Sequence, residues 1–254
     1  MFNSHPRTVI IVQARMGSTR LPGKLLKEVN ARPLLSYLVE RLSRCTQADA
    51  LMIATTTNPL DDQVVDFCKK NKVAYFRGSE ENVLDRYYQA ALATNAAVVV
   101  RITADCPLID PAVVDEAVAS YLRNYPQQDY LSNTLERTYP RGMDVEVFSF
   151  NALEQAAHHA QDPEEREHVT PYIYRRPDRY QLGQMKWRAD ESMHRWTVDT
   201  EEDLQLITLL LKELYSKNKE FTFHCILDAM DAHPEWRAIN AHVLQKTVKG
   251  NAHE

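Results

Sequence analysis

The sequence predicts an α/β fold in which a mainly parallel sheet carries helices on both faces. Three observations carry that expectation. Short β-branched runs alternate with amphipathic stretches through the first half of the chain. The strongest runs are apolar throughout, as strands buried on both faces are. No Pro/Gly/Ser-rich linker and no solenoid-length repeat divides the chain. Repeated strand–helix–strand units need crossovers, and crossovers make neighbouring strands parallel and place helices over the sheet. At 254 residues the chain suits one large domain, or one with a small appendage.

Taken in order, Val9–Ala14 (VIIVQA) reads as a buried strand. Pro33–Cys45 follows with Leu34, Leu35, Leu38, Val39 and Leu42 at helical spacing, and Pro33 suits a first helical turn. Ala50–Thr55 is a second strand and Asp61–Lys70 a helix with Val64, Val65 and Cys68 on one side. Val73–Phe76 is a third strand, Glu81–Asn95 a helix, and Ala97–Thr103 (AVVVRIT) the strongest strand. Asp110 caps a helix that has Pro111 in its first position and runs to about Arg123. The second half is less regular. Strands are expected at Asp129–Ser132, Met143–Phe150, Tyr180–Met185 and His194–Val198. Helices are expected at Asn151–His159, Pro163–Arg175, Glu201–Tyr215 and Thr222–Ala232, with a polar, fraying end over Lys246–Glu254.

Composition narrows the function. The 30 Lys and Arg against 35 Asp and Glu give a net charge of −5, and the pI is about 6.0. A basic nucleic-acid-binding domain is thereby excluded, although a local cationic cluster can still hold one small anion. Cys45, Cys68, Cys106 and Cys225 are scattered with no C-x-x-C pair, so a cysteine zinc site is not expected. Met1–Thr8 lacks the apolar core of a secretory signal, and no apolar run approaches the roughly 20 residues that span a bilayer. A cytoplasmic protein without membrane attachment is expected.

In parallel sheets, ligands sit beyond the carboxyl ends of the strands. The segment after the first strand, Ala14–Lys24 (ARMGSTRLPGK), holds Arg15, Arg20 and Lys24, the hydroxyls of Ser18 and Thr19, and Gly17 and Gly23. Glycines let backbone amides approach an anion, arginine forks onto phosphate oxygens and lysine acts as a mobile charge. The competing reading is a solvated basic loop; its place after the first strand favours phosphate. It is neither a P-loop nor a dinucleotide fingerprint, because Gly17 and Gly23 are six positions apart and Leu25 follows Lys24. Asp105 follows the strongest strand and either holds Mg²⁺ against a polyphosphate or caps the turn before Pro107. Asp199 follows the His194–Val198 run and either supplies a second metal carboxylate or shares helix capping with Thr200.

Beyond these, Asp144 and Glu146 are two apart and would share one strand face, with Gly142 before them allowing a ligand close. They, Asn133, Arg141, His168 and Arg175 are candidate substrate contacts; the competing readings are a solvent-facing strand edge and an ordinary helix histidine. His158 and His159 read as a solvated helix end, the cysteines as small buried apolar groups, and Trp187, Trp196 and Trp236 as packing residues.

The segments IVQARMGSTRLPGKLL, RGSEENVLDRYYQAA, RITADCPLIDP, RGMDVEVFS, EHVTPYIY and WTVDTEEDL occur in order over about residues 8–215. This series resembles the sugar-activating cytidylyltransferases, including CMP-Kdo and CMP-acylneuraminate synthetases. It is most similar to the SpsF-like branch, named for a spore coat polysaccharide biosynthesis protein. The resemblance implies a three-layer α/β/α nucleotidyltransferase fold with a mixed, mainly parallel sheet. It implies one domain over 1–254, with a nucleotide half over about 8–125 and a sugar half over about 126–232. The implied reaction joins CTP to a sugar, an acidic one by analogy, and releases pyrophosphate with Mg²⁺ as cofactor. Catalysis is carried over to Arg15, Lys24, Asp105 and Asp199, with Asp105 and Asp199 on the metal. Nucleotide binding is carried over to Gln13, Ala14, Arg15, Gly17, Ser18, Arg20, Lys24, Arg86, Thr103 and Asp105. Where the Kdo enzymes have a Gly-Asp-Glu-Pro core, this chain reads Ala104-Asp105-Cys106-Pro107. The difference touches the identity of the sugar and not the metal aspartate.

Two other readings stand beside this one. A nucleotide-sugar-dependent glycosyltransferase would need less charge than the Arg15–Lys24 loop carries, and no clear D-x-D motif is present. A non-catalytic nucleotide-binding domain would be expected to lack one of the basic or acidic residues, yet all are present. A homodimer through the second half is left open, with the aromatics of Thr138–Pro140 and Ile173–Arg176 facing either a partner or a sugar.

Overall fold

Two apolar cores lie on opposite faces of one sheet, and strand alternation puts them there. The computed structural model describes residues 5–244. In β1 (Thr8–Gln13), Val9 and Ile11 enter one core while Ile10 and Val12 enter the other. Successive strand side chains leave on opposite faces, so a strand covered on both sides is apolar throughout. Each such buried Val or Ile contributes about 1.5–3 kcal/mol.

A 3-10 turn at Lys24–Leu26 and a small hairpin of β2 (Glu28–Val29) and β3 (Arg32–Pro33) follow. Next come α1 (Leu34–Leu42), β4 (Ala50–Thr56), α2 (Asp62–Asn71), β5 (Ala74–Gly78), α3 (Val83–Thr94), β6 (Val98–Thr103) and α4 (Pro111–Leu122). The second half supplies β7 (Tyr130–Ser132), β8 (Glu146–Ser149), α5 (Phe150–His159), α6 (Pro163–His168), α7 (Pro171–Tyr174) and β9 (Leu182–Gln184). It ends with α8 (Glu201–Lys217), α9 (Phe223–Ala232) and α10 (Arg237–Asn240).

The main sheet has the order β5-β4-β1-β6-β8-β7-β9. β5, β4, β1 and β6 are parallel, β8 is antiparallel to both β6 and β7, and β9 is parallel to β7. The sheet is therefore mixed and mainly parallel, as expected. Helices α1, α2, α4, α8 and α9 cover one face; α3, α5 and α7 cover the other. From β1 the chain steps outward to β4 and β5, then returns to lay β6 on the other side of β1. That reversal opens a crevice beyond the carboxyl ends of β1 and β6.

Four local expectations are corrected. Pro33 does not lie in the first turn of α1: it pairs with Glu28 in the hairpin and stands as the N-cap. The Met143–Phe150 strand is confined to Glu146–Ser149, because Gly142 (φ 103°) turns the chain just before it. The helix expected over Pro163–Arg175 is two helices, broken where Val169 takes a positive φ of 73° ahead of Pro171. His194–Val198 is extended but makes only one bridge, Arg141 to Arg195. The expected fraying over Lys246–Glu254 lies outside the described residues. Among the described residues no helix is long and apolar enough to cross a membrane.

Candidate active site

The loop after β1 is held by a carboxylate that the sequence reading passed over. Asp61, at the end of a 3-10 turn following β4, is 1% exposed. One of its oxygens accepts the Met16 amide at 2.6 Å and the other the Thr56 hydroxyl. The Met16 carbonyl in turn accepts the amides of Ser18 (2.8 Å) and Gly23 (3.4 Å), so the loop coils on itself. Gly23 has φ 68°, a conformation that costs glycine little, and it directs Lys24 back toward the crevice. The Ser18 hydroxyl accepts the Leu21 amide at 3.3 Å.

Lys24 meets two aspartates that are far apart in sequence. Its ammonium donates to Asp105 Oδ2 at 2.9 Å, to Asp199 Oδ1 at 2.7 Å and to the Val198 carbonyl at 2.7 Å. Backbone contacts impose the meeting. The Val198 amide donates to the Asp105 carbonyl at 2.8 Å, and the Thr197 hydroxyl reaches the same oxygen at 3.2 Å. The Thr103 hydroxyl donates to Asp105 Oδ1 at 2.6 Å. Burial opposes ionisation of Asp105, but Lys24 and the Thr103 hydroxyl outweigh it and hold the carboxyl at about 2. Burial likewise disfavours the Lys24 ammonium, and Asp105 and Asp199 more than reverse that, raising its pKa.

The capping ambiguity at Asp199 is settled by its neighbours. Thr200 is the N-cap of α8, in a capping box with Asp203. Asp199 therefore stands outside the helix. Its Oδ2 takes Arg20 at 3.0 Å and Arg195 at 2.7 Å.

Around this centre a cleft of about 540 Å³ is lined by Gln13, Ala14, Arg15, Gly17, Ser18, Arg20, Lys24, Arg86, Thr103 and Asp105. Arg15 is exposed and has no ion-pair partner among the described residues. Arg86 is 1% exposed, yet among the described residues its Nε has no hydrogen-bond partner, and its Nη1 donates to the Ser79 carbonyl. Burial and then the nearby Arg15 push its pKa down. A buried guanidinium left in this state is stabilised by an anion.

The opposite wall is arranged differently. Arg101, on the floor of the cleft, is ion-paired with Glu146, its register partner on β8. Glu146 also accepts the hydroxyls of Tyr130 (2.7 Å) and Thr170. Burial opposes the Arg101 charge, but Glu146 raises its pKa well above the ordinary value. Asp144 lines the cleft and takes a two-point bond from Arg137, at 2.6 and 3.0 Å. Arg141 and His168 also line it, and burial pushes the His168 imidazole below its usual pKa. Arg175 is turned to Glu164 at 2.7 Å.

Several candidates fall elsewhere. Asn133 is buried and closes onto the Met143 carbonyl (2.7 Å) and the Val145 amide (2.9 Å), a structural clasp outside the cleft lining. Glu146 is consumed by its internal network. Asp144 precedes β8, so the two carboxylates do not share a strand face. Gly142 lines the cleft, and its missing side chain makes room for backbone: a Cβ there would meet the Trp196 carbonyl oxygen at 2.5 Å. Tyr139 is fully buried and faces neither a partner nor a sugar, whereas Tyr174 is half-buried beside the Tyr130 ring. Trp196 and Trp187 pack on Phe223, as expected of packing residues.

Comparison with known proteins gives this cleft a family. The cytidylyltransferase family model matches residues 9–222. The chain belongs to the cytidylyltransferase family. The spore coat polysaccharide biosynthesis protein SpsF of Bacillus subtilis is 35% identical over 221 residues, 84% of this chain and 88% of that protein. A 3-deoxy-manno-octulosonate cytidylyltransferase of Solibacter usitatus is 32% identical over 163 residues, 62% of this chain and 60% of its own length. A solved cytidylyltransferase from Leptospira borgpetersenii superposes with a TM-score of 0.88 at 33% identity, covering 96% of this chain and all of that one.

In this cytidylyltransferase, sequence reasoning missed Asp61, Arg101, Arg137, Arg195 and Asp203 as parts of the cleft or its supports. Two of these had a signal. Arg101 is a lone charge in the apolar run VVVRIT, and Asp61 follows the carboxyl end of β4 as Asp105 follows that of β6. The others are recognisable only through their partners.

Proposed function

We propose that this cytidylyltransferase couples CTP to a hydroxyl of an acidic sugar, giving a CMP-sugar and pyrophosphate for surface polysaccharide or glycoconjugate synthesis. One observation carries the reading. At the switch point of the sheet, Lys24 is bound by Asp105 and Asp199 while Arg15 and the Arg86 Nε have no anionic partner among the described residues. Cation-rich, incompletely neutralised surroundings suit a triphosphate. Base choice and the acidic class of sugar rest on the family and on the named relatives.

A divalent cation fits the residues present. Two carboxylates lie within 2.9 Å of one ammonium position, and no group of three or more His, Cys, Asp or Glu is assembled among the described residues. Mg²⁺ characteristically takes one or two carboxylates and completes its shell with phosphate oxygens and water. Asp105 and Asp199 would hold it, and when bound it supplies charge neutralisation at the phosphates.

In the proposed reaction the sugar oxygen bonds to the α-phosphorus, the bond to the bridging oxygen of pyrophosphate breaks, and the hydroxyl proton is released. Positioning and electrostatics supply most of the catalysis in such transfers. Arg15, Arg20 and Lys24 bind the phosphate oxygens, with Gly17 and Ser18 letting the loop amides approach. Gln13, Ala14, Arg86 and Thr103 border the nucleoside end. On the opposite wall, Asp144 accepts hydrogen bonds from sugar hydroxyls, held in orientation by Arg137. Arg141 offers charge to a sugar carboxylate, and His168 contributes a neutral imidazole.

The test is melting-temperature shift with CTP, UTP, ATP, GTP and nucleotide-sugars, each with and without Mg²⁺, followed by pyrophosphate release across a panel of acidic and neutral sugars. A ligand that binds only the native state raises the melting temperature. The expected result is a Mg²⁺-dependent shift with CTP and pyrophosphate release with an acidic sugar. A shift confined to nucleotide-sugars would overturn the reading in favour of a glycosyltransferase.

A further inference from the structure

The C-terminal turn of the described chain reaches back to the residues that support Asp199. Asn240, on α10, is 5% exposed, and its amide nitrogen donates at 2.9 Å both to the Arg195 carbonyl and to Asp203 Oδ1. Asp203 is fully buried and forms the hub. Its Oδ1 accepts Arg195 Nε at 2.9 Å. Its Oδ2 accepts Arg195 Nη2 at 3.1 Å, the Asp199 amide at 2.9 Å and the Thr200 amide at 3.2 Å. The same Arg195 Nη2 extends to Asp199 Oδ2 at 2.7 Å. Residue 240 lies beyond the matched family region, which ends at 222.

We infer that Asn240 and Arg195 are positioning residues that aim the Asp199 carboxylate, so that Oδ2 is held by Arg20 and Arg195 and Oδ1 faces Lys24 beside Asp105. The inference rests on the proposed role of Asp199 toward a divalent cation. Asn240 clamps the main chain of Arg195 and the side chain of Asp203 together. That fixes the guanidinium against both carboxylates. The Asp199 amide, bound by the same Asp203 oxygen, fixes the main chain from which the carboxylate projects. Without Asn240, Asp203 and the Arg195 carbonyl each lose one donor, and the Asp199 carboxylate gains rotational freedom. Groups that orient a metal-binding carboxylate in this way change metal affinity by roughly 10–100-fold when removed.

The experiment is titration of the full chain with Mn²⁺ in the presence of CTP, followed by electron paramagnetic resonance, for wild type, Asn240→Leu, Arg195→Lys and Asp199→Asn. Asn240→Leu is nearly isosteric and removes both bonds. Its Mn²⁺ dissociation constant is expected to rise about tenfold, with turnover at saturating metal kept within about threefold. Arg195→Lys keeps the charge but not the fork and is expected to weaken Mn²⁺ similarly. Wild-type Mn²⁺ affinity in Asn240→Leu overturns the inference; should that variant fail to fold, wild-type affinity in Arg195→Lys overturns it instead. If Asp199→Asn loses Mn²⁺ while the other two retain it, only this inference falls. If Asp199→Asn also retains Mn²⁺, the role of Asp199 falls with it.

Discussion

The two walls of the cleft treat charge in opposite ways. On the β1-loop wall, Arg15 and the Arg86 Nε have no partner of their own among the described residues, and Lys24 is held by two carboxylates. On the β8 wall, Arg101 is matched to Glu146 and Arg137 to Asp144. A wall with unmatched cations is stabilised by an arriving anion, and a wall of matched pairs offers oriented hydrogen bonds with little net field. The difference suits a polyanion on one side and a hydroxyl-rich molecule on the other.

The sharpest way to break the comparison is Asp105→Ala. It is expected to lower pyrophosphate release by roughly a hundredfold to a thousandfold, the effect of losing a charged group at the transition state. Near-normal turnover would reject the pairing of Asp105 with Asp199. On the opposite wall, Glu146→Leu leaves Arg101 buried without its partner. Urea unfolding should show a loss of about 3–5 kcal/mol, as for other broken buried pairs. A loss under 1 kcal/mol would show that the two walls do not differ in this respect.

Lys24→Ala should weaken CTP binding by about 1.5–3 kcal/mol, the range for a hydrogen bond to a charged group, and CMP binding much less. Equal losses measured by calorimetry would argue against a triphosphate on the loop. Arg86→Met separates binding from stability. CTP affinity should fall while the melting temperature holds or rises, because a buried charge lacking one of its partners is removed. A lowered melting temperature in Arg86→Met would mean that this guanidinium is already satisfied.

The smallest effect is in pH. Asp105 is held at about 2 against an ordinary 3.8. A carboxyl depressed in the folded state stabilises it fully above the unfolded value, and that contribution is lost as pH falls through the folded value. The loss belongs between about pH 4 and pH 2 and is on the order of 2 kcal/mol. Comparing urea unfolding of wild type and Asp105→Asn at pH 6 and pH 2 measures it. A difference that does not shrink on acidification would contradict the Lys24–Asp105 coupling.

Much of the fold was legible because local pattern reports on burial. The apolar runs marked β1, β4 and β6, and Asp110 with Pro111 marked the start of α4, where Asp110 accepts the Ala112 amide at 2.9 Å. The loop was legible too, since a cluster of cations and glycines after a first strand has few other uses. The second half was harder to read. Its elements are short, Val169 breaks a helix with a positive φ that β-branched residues rarely take, and Gly142 serves a backbone crossing that no sequence window contains.

The sequence by itself determined where strands and helices form, which faces are apolar, and that cations and acids occur after the strand ends. Only the tertiary structure decided which of those charges meet. Lys24 reaches Asp199 across 175 positions, Arg101 finds Glu146 across 45, and Asn133 closes on Met143 instead of facing the cleft. Secondary structure follows from the periodicity of burial within a few residues. Ion pairing and a side chain's access to the cleft follow from the order in which strands are laid side by side, and that order is set by packing of the whole sheet.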